Sequence, residues 1–368
     1  MLPPPYRYVP WTETGFSPSI MVDGGAKSAT VLTLSHWPKS GTPENLKRDT
    51  STEIVFEYLM QPGEHLDVGI VTGDHFDEDA SLGLFALLEP DFAMAHRDLI
   101  VAAAHAGDFS TYSDRQAARI AFTIRALGNP DVSPLDPAIF DTDYDTMCGQ
   151  LFREVLPRLR PIIEHTDAFE ELWGAEDAML GRSEQALKAG EISIVEHGDG
   201  DLAVVTVSGD LPCYPMAIYN ATRCNRILIV HGNNYSFRYR YESWVQYITA
   251  PPPPRTDLHE LAAALSKDEP GDATWKFDGV EAITPAMELQ GADNDESMIS
   301  VDDFTQRLLT ALVNGESAWD PFDRPGDKPD LLTRTCRNDH GKAAHGSEEK
   351  RERRLHVHVV SVMYITCT

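Results

Sequence analysis

Residues 71–83 read Val-Thr-Gly-Asp-His-Phe-Asp-Glu-Asp-Ala-Ser-Leu-Gly, an acidic cluster between an apolar run at 68–71 and a run with helical spacing at 82–88. The apolar run predicts a strand, and the second run predicts a helix. Four carboxylates within six residues repel one another unless water or a cation compensates their charge. The segment therefore indicates either a metal site or an acidic loop that caps the following helix.

Two other segments repeat this order of strand, polar loop and helix. The first runs from a β-rich stretch at 30–37 into helical spacing at 50–59. The second runs from an apolar stretch at 99–104 through a polar loop at 105–109 into a helix at 114–127. This alternation predicts an α/β fold with a largely parallel sheet flanked by helices, in which ligands gather at the carboxyl ends of the strands. We therefore expect all three polar loops to lie on one edge of the sheet.

The rest of the chain predicts a helical connector and a second, smaller α/β domain, because a helical period gives way to strand-like runs near residue 190. The predicted parts are an α/β metal-site domain at 1–145, the connector at 146–190, a smaller α/β domain that resembles a substrate-binding domain at 191–320, and a disordered tail at 321–368. Residues 334–368 hold seven Lys or Arg against four Asp or Glu, whereas the whole chain has a net charge of -27. We assign no chemistry to this tail.

The charge of the chain argues against one class of function. With 31 Lys and Arg against 58 Asp and Glu, the protein is not expected to bind duplex nucleic acid in general, because such binding depends on many cationic contacts with phosphates. A small phosphorylated substrate held through a metal ion remains compatible with this composition.

The cysteines and the apolar segments predict a cytoplasmic protein. Five cysteines occur without any Cys-x-x-Cys spacing, which indicates neither a disulfide framework nor a zinc ribbon and fits a reducing compartment. The first residues lack the apolar core of a signal peptide, and no stretch reaches the roughly 18 to 20 apolar residues of a membrane span. We expect no contact with a membrane.

Each of the three polar loops offers aspartate and histidine side chains. Hard divalent cations such as Mn²⁺ and Mg²⁺ accept carboxylate and imidazole ligands, and two such ions can activate a water molecule and hold the oxygens of a phosphate ester. Taken singly, each histidine is more often structural than a ligand, but their recurrence at one predicted sheet edge favours a shared two-metal site. The candidate metal ligands are His36, Asp49, Asp74, Asp77, Asp79, His105 and Asp108.

Short motifs in these segments resemble the DHH phosphoesterases. The Asp-x-Asp sequence at 77–79, which follows a hydrophobic strand, resembles the first motif of that family. Residues 34–37 together with 49–55 are similar to its Asp-His-His region and the helix start that follows, and 107–109 are similar to its last acidic motif. The order is permuted, because the Asp-His-His-like segment comes first here. The chain also resembles a bacterial family of unknown function, from which no activity follows.

The DHH resemblance implies a two-metal phosphoesterase that acts on a pyrophosphate, a polyphosphate or a short nucleotide. It implies that His36, Asp77, Asp79 and Asp108 are metal ligands, with Asp49, Asp74 and His75 in or next to the coordination sphere. We take Asp77, Asp79 and His75 as the candidate catalytic residues. Residues 236–238 are similar to a Ser-x-Arg element of the family's substrate-binding domain, so the candidate substrate ligands are Ser236, Arg238 and Arg240. A second interpretation of the two arginines is a cross-strand stack on Tyr235, Tyr239 and Tyr241.

A protein of another class would fit the same pattern. A non-catalytic ligand-binding or regulatory protein could keep the scaffold and bind a ligand in the cleft between its two domains. The two classes differ in one geometric requirement. An enzyme of the predicted kind needs its carboxylate and imidazole atoms to converge within about 4 to 5 Å of a common point, since paired metal ions lie roughly 3.5 to 4 Å apart.

Overall fold

Two sheets, each covered by helices, organise the chain. The structure, a computed structural model, describes residues 6–291 and 296–322. One sheet has four parallel strands and the other has six strands that are mostly antiparallel. A mixed α/β structure with a parallel sheet was predicted, and it is confirmed. The predicted tail lies outside the described residues from 323 onward.

The first sheet has the strand order β1-β4-β2-β3, and all its strands are parallel. Its strands are β1 (Arg7–Tyr8), β2 (Ser19–Val22), β3 (Thr30–Leu34) and β4 (Ile70–Thr72). β2 lies between β4 and β3, and all four of its residues are buried, as is usual for a strand with both faces covered. Val22 pairs with Leu34, and Met21 pairs with Thr72. The three strands therefore end at the same level, and the loops after them lie side by side.

Five helices follow these strands or pack against them. They are α1 (Ser51–Met60), α2 (Glu78–Leu88), α3 (Pro90–Ala95), α4 (Arg97–Asp108) and α5 (Arg115–Gly128). α1 begins with a capping box, in which the Thr50 hydroxyl accepts from the Glu53 backbone N–H and the Glu53 carboxylate accepts from the Thr50 N–H. α2 lies so close to β2 that a Cβ atom on Gly83 would be 2.8 Å from a Val22 methyl carbon. This packing fixes the first turn of α2 beside the end of β2.

Three more helices connect the two sheets: α6 (Tyr144–Val155), α7 (Leu159–Glu164) and α8 (Glu170–Ala189). α8 ends at Gly190, whose φ of 75° is the left-handed conformation that glycine adopts at helix ends. Its apolar side packs on α5 and on α9 (Pro215–Ala221) through a cluster that includes Phe122, Trp173 and Met216. The helical secondary structure predicted for 146–190 is confirmed, whereas the predicted domain boundaries stay predictions.

The second sheet has the order β10-β11-β8-β7-β6-β5. Its strands are β5 (Ile192–His197), β6 (Leu202–Val207), β7 (Arg226–His231), β8 (Asn234–Tyr239), β10 (Thr274–Phe277) and β11 (Ala286–Gln290). Only β6 and β7 run parallel, joined by α9, and the other pairs are antiparallel. Two helices, α10 (His259–Ser266) and α11 (Val301–Asn314), contribute to its core. The short strands β9 (Arg255–Thr256) and β12 (Ser317–Trp319) form a separate pair.

One predicted strand is wrong. Residues 99–104 belong to α4, because four alanines between 102 and 106 favour a helix and the apolar residues of this helix pack against α2 and α5. The polar loop predicted at 105–109 is therefore the last turn of a helix rather than the end of a strand. The central strand β2 and the aspartate after it were not predicted. Within 6–291 and 296–322, no helix combines the length and hydropathy that a transmembrane span requires.

Candidate metal centre

Acidic and imidazole side chains meet where the three neighbouring parallel strands end. Asp23 follows β2, His36 follows β3, and the acidic segment 74–79 follows β4. Asp108, at the end of α4, reaches the same place with a side chain that is 6% exposed. The side chains of Asp23, His36 and Asp79 are all 1% exposed or less, so the site is buried within the first sheet's edge.

The first possible ligand set is formed by Asp23, His36 and Asp79. The Nε2 atom of His36 lies 3.4 Å from Asp23 Oδ1 and 4.0 Å from Asp79 Oδ2. The three potential ligand atoms all lie within 4.8 Å of one another. Asp108 adds a fourth candidate, because its Oδ2 atom lies 3.4 Å from His36 Nε2. Asp108 thus lies beside the first set without belonging to the group of mutually close ligand atoms.

The second possible ligand set is formed by Asp23, His75 and Asp77. The Nε2 atom of His75 lies 3.2 Å from Asp23 Oδ2 and 2.9 Å from Asp77 Oδ2, and these ligand atoms also lie within 4.8 Å of one another. Asp23 belongs to both sets and turns a different oxygen toward each histidine. Asp23 is therefore the residue that the two sets share.

The backbone around the site fixes these side chains. The Nδ1 atom of His36 lies 2.6 Å from the carbonyl oxygen of Asp49, which can only accept a hydrogen bond. Nδ1 therefore carries the proton, and the lone pair of Nε2 faces the carboxylates. The two oxygens of Asp79 accept the backbone N–H groups of Ser51 and Thr52 at 2.7 and 2.8 Å. These donors belong to the first turn of α1, where the helix dipole favours an anion.

Burial and mutual repulsion oppose the charged forms of three carboxylates at the site. Burial, together with the charges of Asp77 and Asp79, raises the pKa of Asp23. Burial and the charge of Asp77 raise the pKa of Asp79 to about 6, and burial with the charges of Asp79, Asp77 and Asp23 raises the pKa of Asp108 well above its usual range. Among the described residues, the Oδ2 atom of Asp108 is buried and accepts no hydrogen bond, and the buried Oδ2 atom of Asp23 contacts His75 Nε2 at 3.2 Å. Oxygen and imidazole donors with unmet acceptor capacity fit a hard divalent cation, so the cluster could hold a metal ion.

Apart from Asp108, three predicted ligands lie outside the two ligand sets. The Asp49 carboxylate accepts the N–H groups of Ile248 and Thr249 at 2.6 and 2.9 Å, and it also accepts the Thr249 hydroxyl at 2.5 Å. Asp74 forms an ion pair with Lys27 at 2.8 Å and contacts His75 Nδ1 at 3.2 Å.

His105 lies in α4 rather than after a strand, and its Nε2 atom pairs with Glu53 Oε2 at 3.1 Å. The structure places His36 and Asp79 in the first set, His75 and Asp77 in the second, and Asp108 next to His36, and the roles of these residues as metal ligands or catalytic groups stay predictions. Asp23 was missed, although its position after the apolar run at 19–22 is the same signal that identified the other loops.

A cavity of about 380 Å³ opens beside the second ligand set, whose His75 and Asp77 line it. Its lining includes His75, Asp77 and Asp108 from the first half of the chain. From the second half it includes Tyr219 of α9, Arg238 of β8, and Tyr241 and Ile283 in connecting segments. Three cations line it, and each has a carboxylate partner: Lys27 with Asp74, Arg125 with Glu78, and Arg238 with Glu288. The cleft therefore joins the candidate metal centre to the second half of the chain.

The three predicted substrate ligands have different surroundings. Arg238 lines the cavity and lies 3.5 Å from Glu288. The Ser236 hydroxyl donates to Glu288 at 3.0 Å and is not among the residues that line the cavity. Arg240 is 4% exposed, forms an ion pair with Glu242 and lies over the ring of Tyr219. Only Arg238 is placed to contact a ligand, and Arg240 is a buried structural ion pair.

Comparison with known proteins identifies one family. The model of a family of unknown function (DUF6687) matches residues 4–322. Neither a curated protein nor a solved structure matches the chain.

Proposed function

The chain belongs to this family of unknown function (DUF6687), and we propose that it is a metal-dependent hydrolase that cleaves a phosphoric ester or anhydride in a small phosphorylated or nucleotide substrate. The observation that carries the proposal is the shared carboxylate of Asp23 between two ligand sets at the base of a cleft. Paired ligand sets of this kind are typical of metal-assisted phosphoryl chemistry. The resemblance of 77–79 and 34–37 to DHH motifs supports the same class of reaction.

The residues of the chain divide between the two positions. Asp23, His36 and Asp79 would hold one ion, with Asp108 next to His36, and Asp23, His75 and Asp77 would hold the other. Bound Mn²⁺ or Mg²⁺ supplies a water of lowered pKa and positive charge for the phosphoryl oxygens. In the hydrolysis, the water oxygen would bond to phosphorus while the bond from phosphorus to the leaving oxygen breaks, and the leaving oxygen would take up the proton that the water loses.

The cleft favours a small substrate. Its volume of about 380 Å³ is within the range of small-molecule sites, which runs from roughly 300 to 1,000 Å³. The net charge of -27 repels an approaching phosphate, so affinity depends on local positive charge. Arg238 is the cation best placed to supply it, because it lines the cleft and its partner Glu288 has a side chain that is 49% exposed.

The proposal is tested by hydrolysis of bis(p-nitrophenyl) phosphate, inorganic pyrophosphate and a dinucleotide, each with Mn²⁺ or Mg²⁺. We expect Asp23→Asn to lower kcat/KM by about 10³-fold or more, because both ligand sets lose a charged oxygen. Asp114→Asn is the matched control, since asparagine replaces aspartate well at the N-cap of α5, and we expect it to stay within about twofold of wild type.

Turnover that needs no metal, or Asp23→Asn as active as wild type, would refute the proposed mechanism. Binding of Mn²⁺ and of inorganic phosphate without turnover of any substrate would instead support the non-catalytic, ligand-binding class.

A further inference from the structure

A tyrosine from the second half of the chain reaches the candidate metal centre. Tyr241 begins the short turn that follows β8, and it lines the cleft opposite Asp77 and Asp108. Its hydroxyl oxygen lies 3.4 Å from His36 Nε2, the atom that faces the carboxylates of the first ligand set. The hydroxyl is therefore at the base of the cleft, next to the atoms that would hold an ion.

The ring of Tyr241 is held on several sides. It stacks on Trp244 with a centroid distance of 5.9 Å and an interplanar angle of 18°. It also contacts the ring edge of His36 at 5.8 Å and the ring of Phe109 at 5.9 Å. A side chain confined in this way loses little further entropy when it binds a ligand, so its hydroxyl is preorganised.

The backbone that carries Tyr241 is tied to the first half of the chain. The N–H group of Gln246 donates to the carbonyl oxygen of His36 at 2.9 Å. The N–H groups of residues 248 and 249 donate to the carboxylate of Asp49, whose own carbonyl oxygen accepts from His36. These hydrogen bonds thus fix the position of Tyr241 relative to His36.

The hydroxyl of Tyr241 has a chemical use that depends on the state of His36. Nδ1 of His36 carries the proton, so Nε2 offers one lone pair. A lone pair that binds a cation cannot accept a hydrogen bond, and the Tyr241 hydroxyl is then available as a donor. A phenol with an ordinary pKa of about 10 keeps its proton at neutral pH. It can donate that proton in a hydrogen bond to an anionic oxygen in the cleft.

We propose that Tyr241 is a catalytic residue whose hydroxyl donates a hydrogen bond to a phosphoryl oxygen of the substrate and strengthens that bond as charge develops in the transition state. This role rests on the proposed function. Donors fixed in advance at the position of developing charge act mainly on kcat, because their interaction is stronger in the transition state than in the bound substrate.

The test compares Tyr241→Phe with Tyr235→Phe in the full chain. Tyr235 is the matched control because its hydroxyl donates to the carbonyl oxygen of Ile299 at 3.0 Å in the core of the second sheet. We expect Tyr241→Phe to lower kcat for bis(p-nitrophenyl) phosphate by about 10²-fold, with KM changed by less than about threefold. Tyr235→Phe should keep the wild-type kcat.

Two binding measurements separate catalysis from metal binding. In calorimetric titrations, Tyr241→Phe should bind Mn²⁺ within about twofold of wild type. The Mn²⁺-loaded variant should bind orthovanadate, an analogue of the transition state, about tenfold or more weakly than wild type.

The outcomes are distinguishable. If wild type turns over substrate and Tyr241→Phe has the same turnover and vanadate binding, this role is overturned and the proposed function stands. Weaker Mn²⁺ binding with full activity at saturating Mn²⁺ would also overturn it, because Tyr241 would then act on the ion alone. A wild-type protein that neither hydrolyses a substrate nor binds vanadate would overturn the proposed function and this role together.

Discussion

Replacement of Asp49 by alanine separates a structural role for this residue from the metal-ligand role that its sequence position predicts. Asp49 is 4% exposed, and its carboxylate accepts three hydrogen bonds from residues 248 and 249, at 2.5 to 2.9 Å. Each hydrogen bond to a charged group contributes about 1.5 to 3 kcal/mol when both partners are removed from water. Ile248 is 37% exposed and Thr249 is also exposed, so water can reach the freed donors. We therefore expect a loss of about 2 to 4 kcal/mol in the free energy of unfolding.

The assay is urea unfolding of wild type and Asp49→Ala, each with EDTA and with saturating Mn²⁺. If the Asp49 carboxylate links the two halves of the chain only through its three hydrogen bonds, the loss of stability should be the same in both conditions, because these hydrogen bonds exist without an ion. If Asp49 is a metal ligand, Asp49→Ala should change the free energy of unfolding little in EDTA and much more in Mn²⁺, because the substitution then removes the stabilisation that bound metal provides. Asp131→Ala, at an exposed position in the turn after α5, is the control and should change stability by less than about 0.5 kcal/mol. A loss of stability confined to the Mn²⁺ condition would refute the structural role of Asp49.

Two further predictions concern stability. Arg255 is 0% exposed and donates to the carbonyl oxygens of residues 280, 282 and 283, and burial lowers its pKa to about 9. Arg255→Lys cannot reach all these acceptors and should lower the free energy of unfolding by about 2 to 4 kcal/mol, measured by urea unfolding. Burial opposes the charged forms of Glu53 and His105, but their hydrogen bond and mutual attraction lower the pKa of Glu53 and raise that of His105. Their pair should therefore stabilise the protein most between pH of about 4.5 and 6.5, and lose its effect as pH rises through the folded-state pKa of His105 or falls through that of Glu53. Glu53→Gln keeps the capping box and removes the charge. Its loss in the free energy of unfolding relative to wild type, measured by thermal unfolding, should be less than about 1 kcal/mol and largest within this pH range. A loss that does not change with pH would contradict the prediction.

The strand-end loops could be predicted because their signals are local. An apolar run followed by a polar, acidic segment and a helical period identifies the regions of β3 with α1 and β4 with α2 without knowledge of the tertiary fold. The same reasoning failed at 99–104, where a short apolar run suits a buried strand and a buried helix equally. Here the run of alanines favours a helix, and packing on both sides stabilises it.

The remaining site residues depend on contacts that no local pattern encodes. Asp23 carries the same local signal as the other loops, but its place between the two ligand sets follows from the central position of β2 in the sheet. Tyr241 is separated from His36 by 205 positions in the sequence, and only the packing of the two halves brings them together. Asp49 looks like a ligand in the sequence because it is an acidic residue near a histidine, but its carboxylate is already occupied by backbone donors.

The central claim is that Asp23 joins two metal positions, and a calorimetric titration of EDTA-treated, dialysed protein with Mn²⁺ tests it most directly. The account predicts two Mn²⁺ ions per chain in wild type, and loss of at least one of them in Asp23→Asn with no change in Asp114→Asn. A wild-type stoichiometry of zero, or two ions bound with undiminished affinity by Asp23→Asn, would contradict it.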